Sequence, residues 1–173
     1  MGSIKVSVIC ITYNHEKYIR DALEGFVNQK TNFDYEVIIH DDASTDRTAT
    51  IIREYQKKYP DIIKPILQNE NQYSKGIPII HTYIEPVIRG EYLAFCEGDD
   101  YWCDEMKLQR QIDFLDKHHD YVACVHNTEF YNHNTGKEFI RYSPLDKDLF
   151  LVDCVTEGEQ SYQTSSSLKV VKM

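Results

Sequence analysis

Apolar positions along the chain follow two different rhythms, and the alternation between them predicts the fold. Val6 to Ile11 is a short continuous apolar run rich in β-branched residues, the signature of a strand covered on both faces. After it, Tyr18, Ile19, Ala22, Leu23, Phe26 and Val27 recur at helical spacing, with Asn14 placed as an N-cap. Glu36 to His40 is a second buried strand. Ser44 or Thr45 then caps a helix that carries Asp46 in its first turn, buries Ile51, Ile52, Tyr55 and Tyr59, and stops at Pro60. Ile62 to Leu67 is a third strand, confined to an edge or a bulge by Pro65. Gln68 to Lys75 is polar and reads as a loop, and Ile79 to Ile88 as a helix of poor periodicity. Tyr92 to Cys96 is a strand, Leu108, Ile112 and Leu115 face a helix capped by Asp104, and Tyr121 to His126 is a further strand. Thr128 to Tyr131 and Phe139 to Tyr142 suit a hairpin around Asn134-Thr135-Gly136. The pattern fades after about residue 143, and there is no internal repeat.

Strands alternating with helices imply an α/β domain, a mostly parallel sheet with helices on both faces. Ligands of such sheets bind beyond the carboxyl ends of the strands. Three of those ends carry polar clusters here: Thr12-Tyr13-Asn14, Asp41-Asp42 and Glu97-Gly98-Asp99-Asp100.

Composition narrows the partners. The chain has 173 residues, suited to one domain, and a net charge of -9, which argues against nucleic acid while leaving room for a nucleotide. No apolar run approaches the length of a membrane span, and Met1 to Asn14 lacks the features of a secretory leader. A cytoplasmic address is expected, at the inner face of the cell membrane if further chain attaches it there. Cys10, Cys96, Cys103, Cys124 and Cys154 form no CxxC pair and read as reduced thiols. The seven histidines are too scattered for a zinc site; His126 follows a strand near the acids and reads as structural.

The clusters carry the chemistry. Three carboxylates within Glu97 to Asp100 repel one another unless solvated, protonated or neutralised by a cation, and their oxygens suit magnesium or manganese. The same residues also make an ordinary solvated acidic turn. Ser44 to Asp46 fit helix capping, which leaves the two aspartates at the strand end unexplained. Asp42 there is a candidate to accept from a base-edge N–H or a ribose hydroxyl. Tyr13 offers a ring to stack on a base.

Taken together, VSVICITYN, EVIIHDDASTDRT and YLAFCEGDDYW resemble glycosyltransferase family 2 over residues 4 to about 125. EGDDYW followed by KLQRQIDFL is most similar to bacterial enzymes that build cell-surface polysaccharide. The resemblance implies a GT-A fold, residues 1–125 binding a nucleotide-sugar donor, and 126–173 beginning an acceptor-binding part. It implies an inverting, metal-dependent transfer from a nucleoside-diphosphate sugar to a saccharide or lipid-linked saccharide, with uridine the family's commonest nucleoside and guanosine and deoxythymidine also open. By position, Tyr13 lies against the base with Thr12 and Asn14 beside it, Asp42 bonds the base edge, and Asp41 supports that loop. Asp99 contacts ribose or metal, Asp100 is the main ligand of Mn2+ or Mg2+, and Trp102 shapes the sugar pocket. Glu97 stands where the family often has aspartate. Tyr162-Gln163-Thr164-Ser165-Ser166-Ser167 resembles the acceptor-side segment. The general base matches no residue, Glu157 and Glu159 being the nearest acids, and the chain reads as a piece of a longer enzyme. A non-catalytic nucleotide-sugar-binding domain shares these features. A receiver domain would need acids after its first strand, where Thr-Tyr-Asn stands, and a nucleotidyltransferase a basic Gly-rich loop.

Overall fold

Four of the apolar runs lie side by side as parallel strands in a computed structural model, which describes residues 2–126, 128–132, 135–140 and 168–170. β1 (Val6–Thr12) is flanked by β2 (Tyr35–Asp41) and β4 (Tyr92–Phe95), and β3 (Ile63–Leu67) pairs with β2. β5 (Ala123–Cys124), shorter than its apolar run, lies at the far side. β8 (Leu168–Val170), from a stretch without readable pattern, runs antiparallel between β4 and β5, so the order is β3-β2-β1-β4-β8-β5. The expected hairpin is β6 (Glu129–Asn132) paired with β7 (Lys137–Ile140). Pro65 sits on edge strand β3, where its missing N–H costs no ladder bond.

The two faces of the sheet are covered differently. Val6, Val8 and Cys10 of β1 and Val37 and Ile39 of β2 face α1 (Ile19–Val27), α2 (Thr48–Lys58) and α3 (Lys107–Leu115). These helices bury Ile19, Leu23 and Phe26, then Ile51, Ile52 and Tyr55, then Leu108, Ile112 and Leu115. Each large side chain stabilises by about 1.5–3 kcal/mol on leaving water. The opposite face, Ile9 and Ile38, is closed by Ile79 and Ile84. The weak periodicity of that covering segment has a structural counterpart: it is a π turn (Ile80–Ile84) continued by a 3-10 turn (Glu85–Val87).

The amino-terminal end of the sheet is closed by its own polar groups. Glu36, buried on β2, accepts from the Ser7 hydroxyl at 2.8 Å and from the Arg89 backbone and side chain, the guanidinium Nε at 2.9 Å. The Ser7 oxygen in turn accepts from Gly90 N–H at 2.9 Å. Nearby, the Tyr92 hydroxyl donates to Asp116 and Lys5 pairs with Asp116 and Glu91, so β4 is tied to the end of α3.

Candidate functional site

The three polar clusters meet at the other end of the sheet because strand register brings them there. Thr12 stands opposite Asp41, and Asp42 N–H donates to the Thr12 carbonyl at 3.0 Å. On the other side of β1, Gly98 N–H donates to the Ile11 carbonyl at 3.0 Å. The loop after β4 therefore lies directly against the loop after β1. Gly98 makes that approach possible: a Cβ there would stand 2.5 Å from Thr12 Oγ1 and 3.0 Å from His15 Nδ1.

Between β1 and β2 the polar residues hold each other. Asn14 is not a helix cap, since α1 starts only at Ile19. It adopts φ 56°, a left-handed conformation asparagine tolerates, and its Oδ1 accepts from Thr45 N–H at 2.8 Å. Its own N–H donates to the Ser44 hydroxyl at 2.8 Å, and that hydroxyl donates to Asp41. Ser44 and Thr45 thus brace the loop, and α2 begins at Thr48 behind Asp46, whose Oδ1 accepts from Thr48 N–H at 2.9 Å. Ala43, at φ 62°, is the other described non-glycine residue with positive φ. Asp42 is 2% exposed, and its carboxylate accepts from the backbone N–H of Gln72 at 2.7 Å and of Tyr73 at 3.0 Å. The polar 68–75 loop is thereby anchored beside the site, a role its composition did not announce. Tyr13 leaves its ring 44% exposed above this group.

Glu97 and Asp99 are exposed beyond β4, and Asp100 is half-buried. Desolvation, then repulsion from Asp99 and Asp100, holds the Glu97 carboxyl above its ordinary value, while His15 opposes the shift. Burial and the same three acids push the Cys10 thiol up. Crowded oxygen donors of this kind fit a hard divalent cation, although no group of three His, Cys, Asp or Glu side chains among the described residues could hold a metal unaided. Two further polar atoms face this corner. Thr12 Oγ1 and His15 Nδ1 are buried without a hydrogen-bond partner. His15 Nε2 stands 4.0 Å from Asp99 Oδ2. His15 carries no spacing signal in the sequence; its one mark is that it follows Asn14 at a strand end.

Trp102 is 6% exposed, edge-on to Phe26 at 5.0 Å and with the Lys107 amine 4.1 Å from its ring centre. A Cβ on Gly25 of α1 would meet the Trp102 carbonyl at 2.8 Å, so the loop is pressed onto that helix. Trp102 is chiefly a packing residue, and it also borders a cleft of about 720 Å3 between α1 and the loop, with Asp99, Tyr101, Lys17 and Asp21 on its walls. Tyr13 and Asp42 lie outside that cleft. Burial pushes the Lys107 amine down to about 7; it donates to Gln111 at 2.7 Å, and no carboxylate pairs with it among the described residues. His126 is exposed after β5. Cys154, Glu157, Glu159 and Tyr162 to Ser167 lie outside the described residues.

Comparison with known proteins adds the following. The family model of glycosyl transferase family 2 matches residues 7–156. An uncharacterised protein of Mycobacterium tuberculosis is 49% identical over 121 residues, covering 70% of this chain and 34% of that protein. The poly(ribitol-phosphate) β-N-acetylglucosaminyltransferase TarS of Staphylococcus aureus is 34% identical over 125 residues, covering 70% of this chain and 21% of that enzyme. A crystal structure of TarS residues 1–349 with UDP aligns with TM-score 0.56 and 33% identity over 67% of this chain and 33% of that one. The mannosyltransferase PcManGT of Pyrobaculum calidifontis, solved with GDP-Man and Mn2+, shares the fold at TM-score 0.55 and 22% identity, over 71% of this chain and 35% of that one. The chain thus spans about a third of the length of the M. tuberculosis relative. None of the helices among the described residues is long and apolar enough to cross a membrane.

Proposed function

The chain belongs to glycosyl transferase family 2, and we propose that it is the donor-binding part of an enzyme that moves a sugar from UDP onto an acceptor hydroxyl with inversion. The acceptor is a saccharide or lipid-linked saccharide of a cell-surface polysaccharide. Residues 1–125 bind the donor, and 126–173 begin the acceptor side. The observation that carries this is the junction of three loops: Asp42 bonded to Thr12, and Gly98 bonded to Ile11, bring an exposed tyrosine ring and an acidic cluster to one edge. TarS, similar over this part, has been solved with UDP, which supports uridine as the base.

Each residue has a task in this reading. Tyr13 stacks on the base, flanked by Thr12 and Asn14. Asp42 keeps lone pairs beyond its two backbone bonds and accepts from the base edge, while Asp41 fixes the loop through Ser44. Asp99 and Asp100 hold Mn2+ or Mg2+, with Glu97 beside them. A cation held by these carboxylates would supply positive charge against the negative charge developing on the departing diphosphate. Trp102 holds the loop in place at the sugar side. The proton of the acceptor hydroxyl passes to a carboxylate base that lies among none of these residues.

Thermal unfolding with UDP, GDP, dTDP and CMP, each with and without Mn2+, tests the proposal. A ligand at 100 times its Kd adds about 2.7 kcal/mol, which for a chain of this size is roughly 5–10 °C. UDP is expected to give the largest shift, dependent on Mn2+ and lost in Asp100→Asn. Asp42→Asn should lower the shift and also loosen the 71–73 segment. A folded sample that no nucleotide stabilises overturns the reading.

A further inference from the structure

We propose that Tyr83 is a positioning residue for base recognition, acting through Gln72 on Asp42, an inference that rests on the donor-site reading above. Asp42 can accept from a base edge in one geometry only if its carboxylate is held in one orientation. The 68–75 loop does the holding. Gln72 N–H donates to one carboxylate oxygen at 2.7 Å and Tyr73 N–H to the other at 3.0 Å. Asn71 Nδ2 adds a bond to the Asp42 carbonyl at 3.2 Å. The orientation of the carboxylate is therefore only as fixed as the backbone at 71–73.

Tyr83 fixes that backbone from outside the loop. Its hydroxyl donates to Gln72 Oε1 at 3.0 Å, while Gln72 Nε2 donates back to the Glu70 carbonyl at 2.7 Å. The Gln72 side chain thus joins the loop to the segment that covers the sheet. The Tyr83 ring is seated in turn on His40, with ring centres 5.5 Å apart and planes tilted by 32°. His40 is fully buried on β2, and its Nε2 stands 3.2 Å from Gln68 Nε2, at the start of the same loop. Strand, loop and covering segment therefore meet around one half-buried ring.

The backbone that carries Tyr83 is the second observation. It is the π turn Ile80–Ile84, a conformation that is rare and found frequently at functional sites. Within it Ile84 is fully buried against the sheet, and its neighbour Tyr83 reaches the loop. A phenylalanine would fill the same space against His40. The hydroxyl supplies the bond to Gln72, and through it the register of the two amides under Asp42.

Isothermal titration of the folded protein with UDP in the presence of Mn2+, well below Tm, tests the assignment. Tyr83→Phe keeps the ring and removes the hydroxyl, and its Kd for UDP is expected to rise about 2- to 10-fold, the worth of one hydrogen bond. Gln72→Leu should raise Kd by a similar factor, and the double variant by no more than the larger single one, because both changes break the same bond. Amide exchange at Gln72 and Tyr73 should quicken in Tyr83→Phe while that of β1 stays as in wild type. A bond with a structural role alone would lower Tm and leave the Kd of the folded protein unchanged. Unchanged UDP affinity in Tyr83→Phe, or effects of the two single changes that multiply, overturns the assignment and leaves the donor-site reading standing. If the folded wild-type protein binds no UDP, both fall.

Discussion

The two ends of the sheet are built from similar materials and finished in opposite ways. At the amino-terminal end, Ser7, Glu36, Arg89 and Gly90 answer one another completely, and a buried carboxylate has a guanidinium, a hydroxyl and a backbone N–H around it. At the carboxyl-terminal end, Thr12 Oγ1 and His15 Nδ1 have no partner, three acids crowd one turn, and Ala43 holds a left-handed backbone. Buried polar groups are costly unless satisfied. The proposed donor site lies where two of them, Thr12 Oγ1 and His15 Nδ1, have no partner; His40 Nδ1, Thr48 Oγ1 and Thr128 Oγ1 also lack one elsewhere among the described residues. The paired network lies at one end, and the proposed donor site at the other.

Substitutions separate the two ends by sign. The largest effect is expected from Arg89→Ala, which strands Glu36 in the core. Discounted for the half-exposed arginine, the loss is about 2–4 kcal/mol, a fall in Tm of roughly 5–15 °C by calorimetry, with the UDP-dependent shift of the folded protein intact. At the opposite end, Lys107→Met should raise Tm by roughly 2–8 °C near pH 7, because an apolar isostere replaces a buried charge. The sign with pH follows from the depressed amine. Between about 7 and its ordinary 10.5 the native amine is neutral and the unfolded one protonated, so wild-type stability rises with pH across that window. Below about 7 the cost is fully present. In Lys107→Met this slope should vanish, and a wild-type stability curve flat from pH 7 to 10 would contradict the burial argument.

Ala43→Gly comes next. Glycine removes a left-handed strain of about 1–2 kcal/mol and gives back roughly 0.5–1 as entropy, so urea unfolding should show a gain of up to about 1 kcal/mol. The smallest effect belongs to Glu97→Gln, within about 0.5 kcal/mol as for other surface changes. A raised carboxyl binds its proton more tightly in the folded state, so its destabilisation is present at neutral pH and disappears as pH falls through its folded value toward 4.5. The variant should be slightly more stable at pH 7 and indistinguishable from wild type at pH 4. In exchange, its Mn2+-dependent nucleotide shift should be smaller.

Much of this was legible in residue order. The apolar runs of β1, β2 and β4 are buried strands, and the acids after them meet at one edge because parallel strands share an end. Pro65 on an edge follows from local rules as well, whereas 79–88, expected as one helix, is a π turn continued by a 3-10 turn. What escaped is long-range. Asn14 is an apt cap by type, yet its side chain answers Thr45 across the loop instead. Asp42 finds its partners in Gln72 and Tyr73, and nothing in a polar loop announces that two of its amides face a carboxylate. His15 comes near Gly98 and Asp99 only once the loops after β1 and β4 are folded together. β8 is three residues at the margin of any pattern, identified by its pairing with β4 and β5.

That late strand has a consequence for how the molecule is made. During synthesis β1 to β4 can assemble as soon as residue 95 has emerged, yet the outer edge of β4, Tyr92 to Ala94, waits for Leu168–Val170. An open strand edge is a template for any passing strand, and pairings between distant segments form slowly. The strand that leads into the acidic turn therefore keeps an open edge until Leu168–Val170 is made, long after its inner edge can pair with β1.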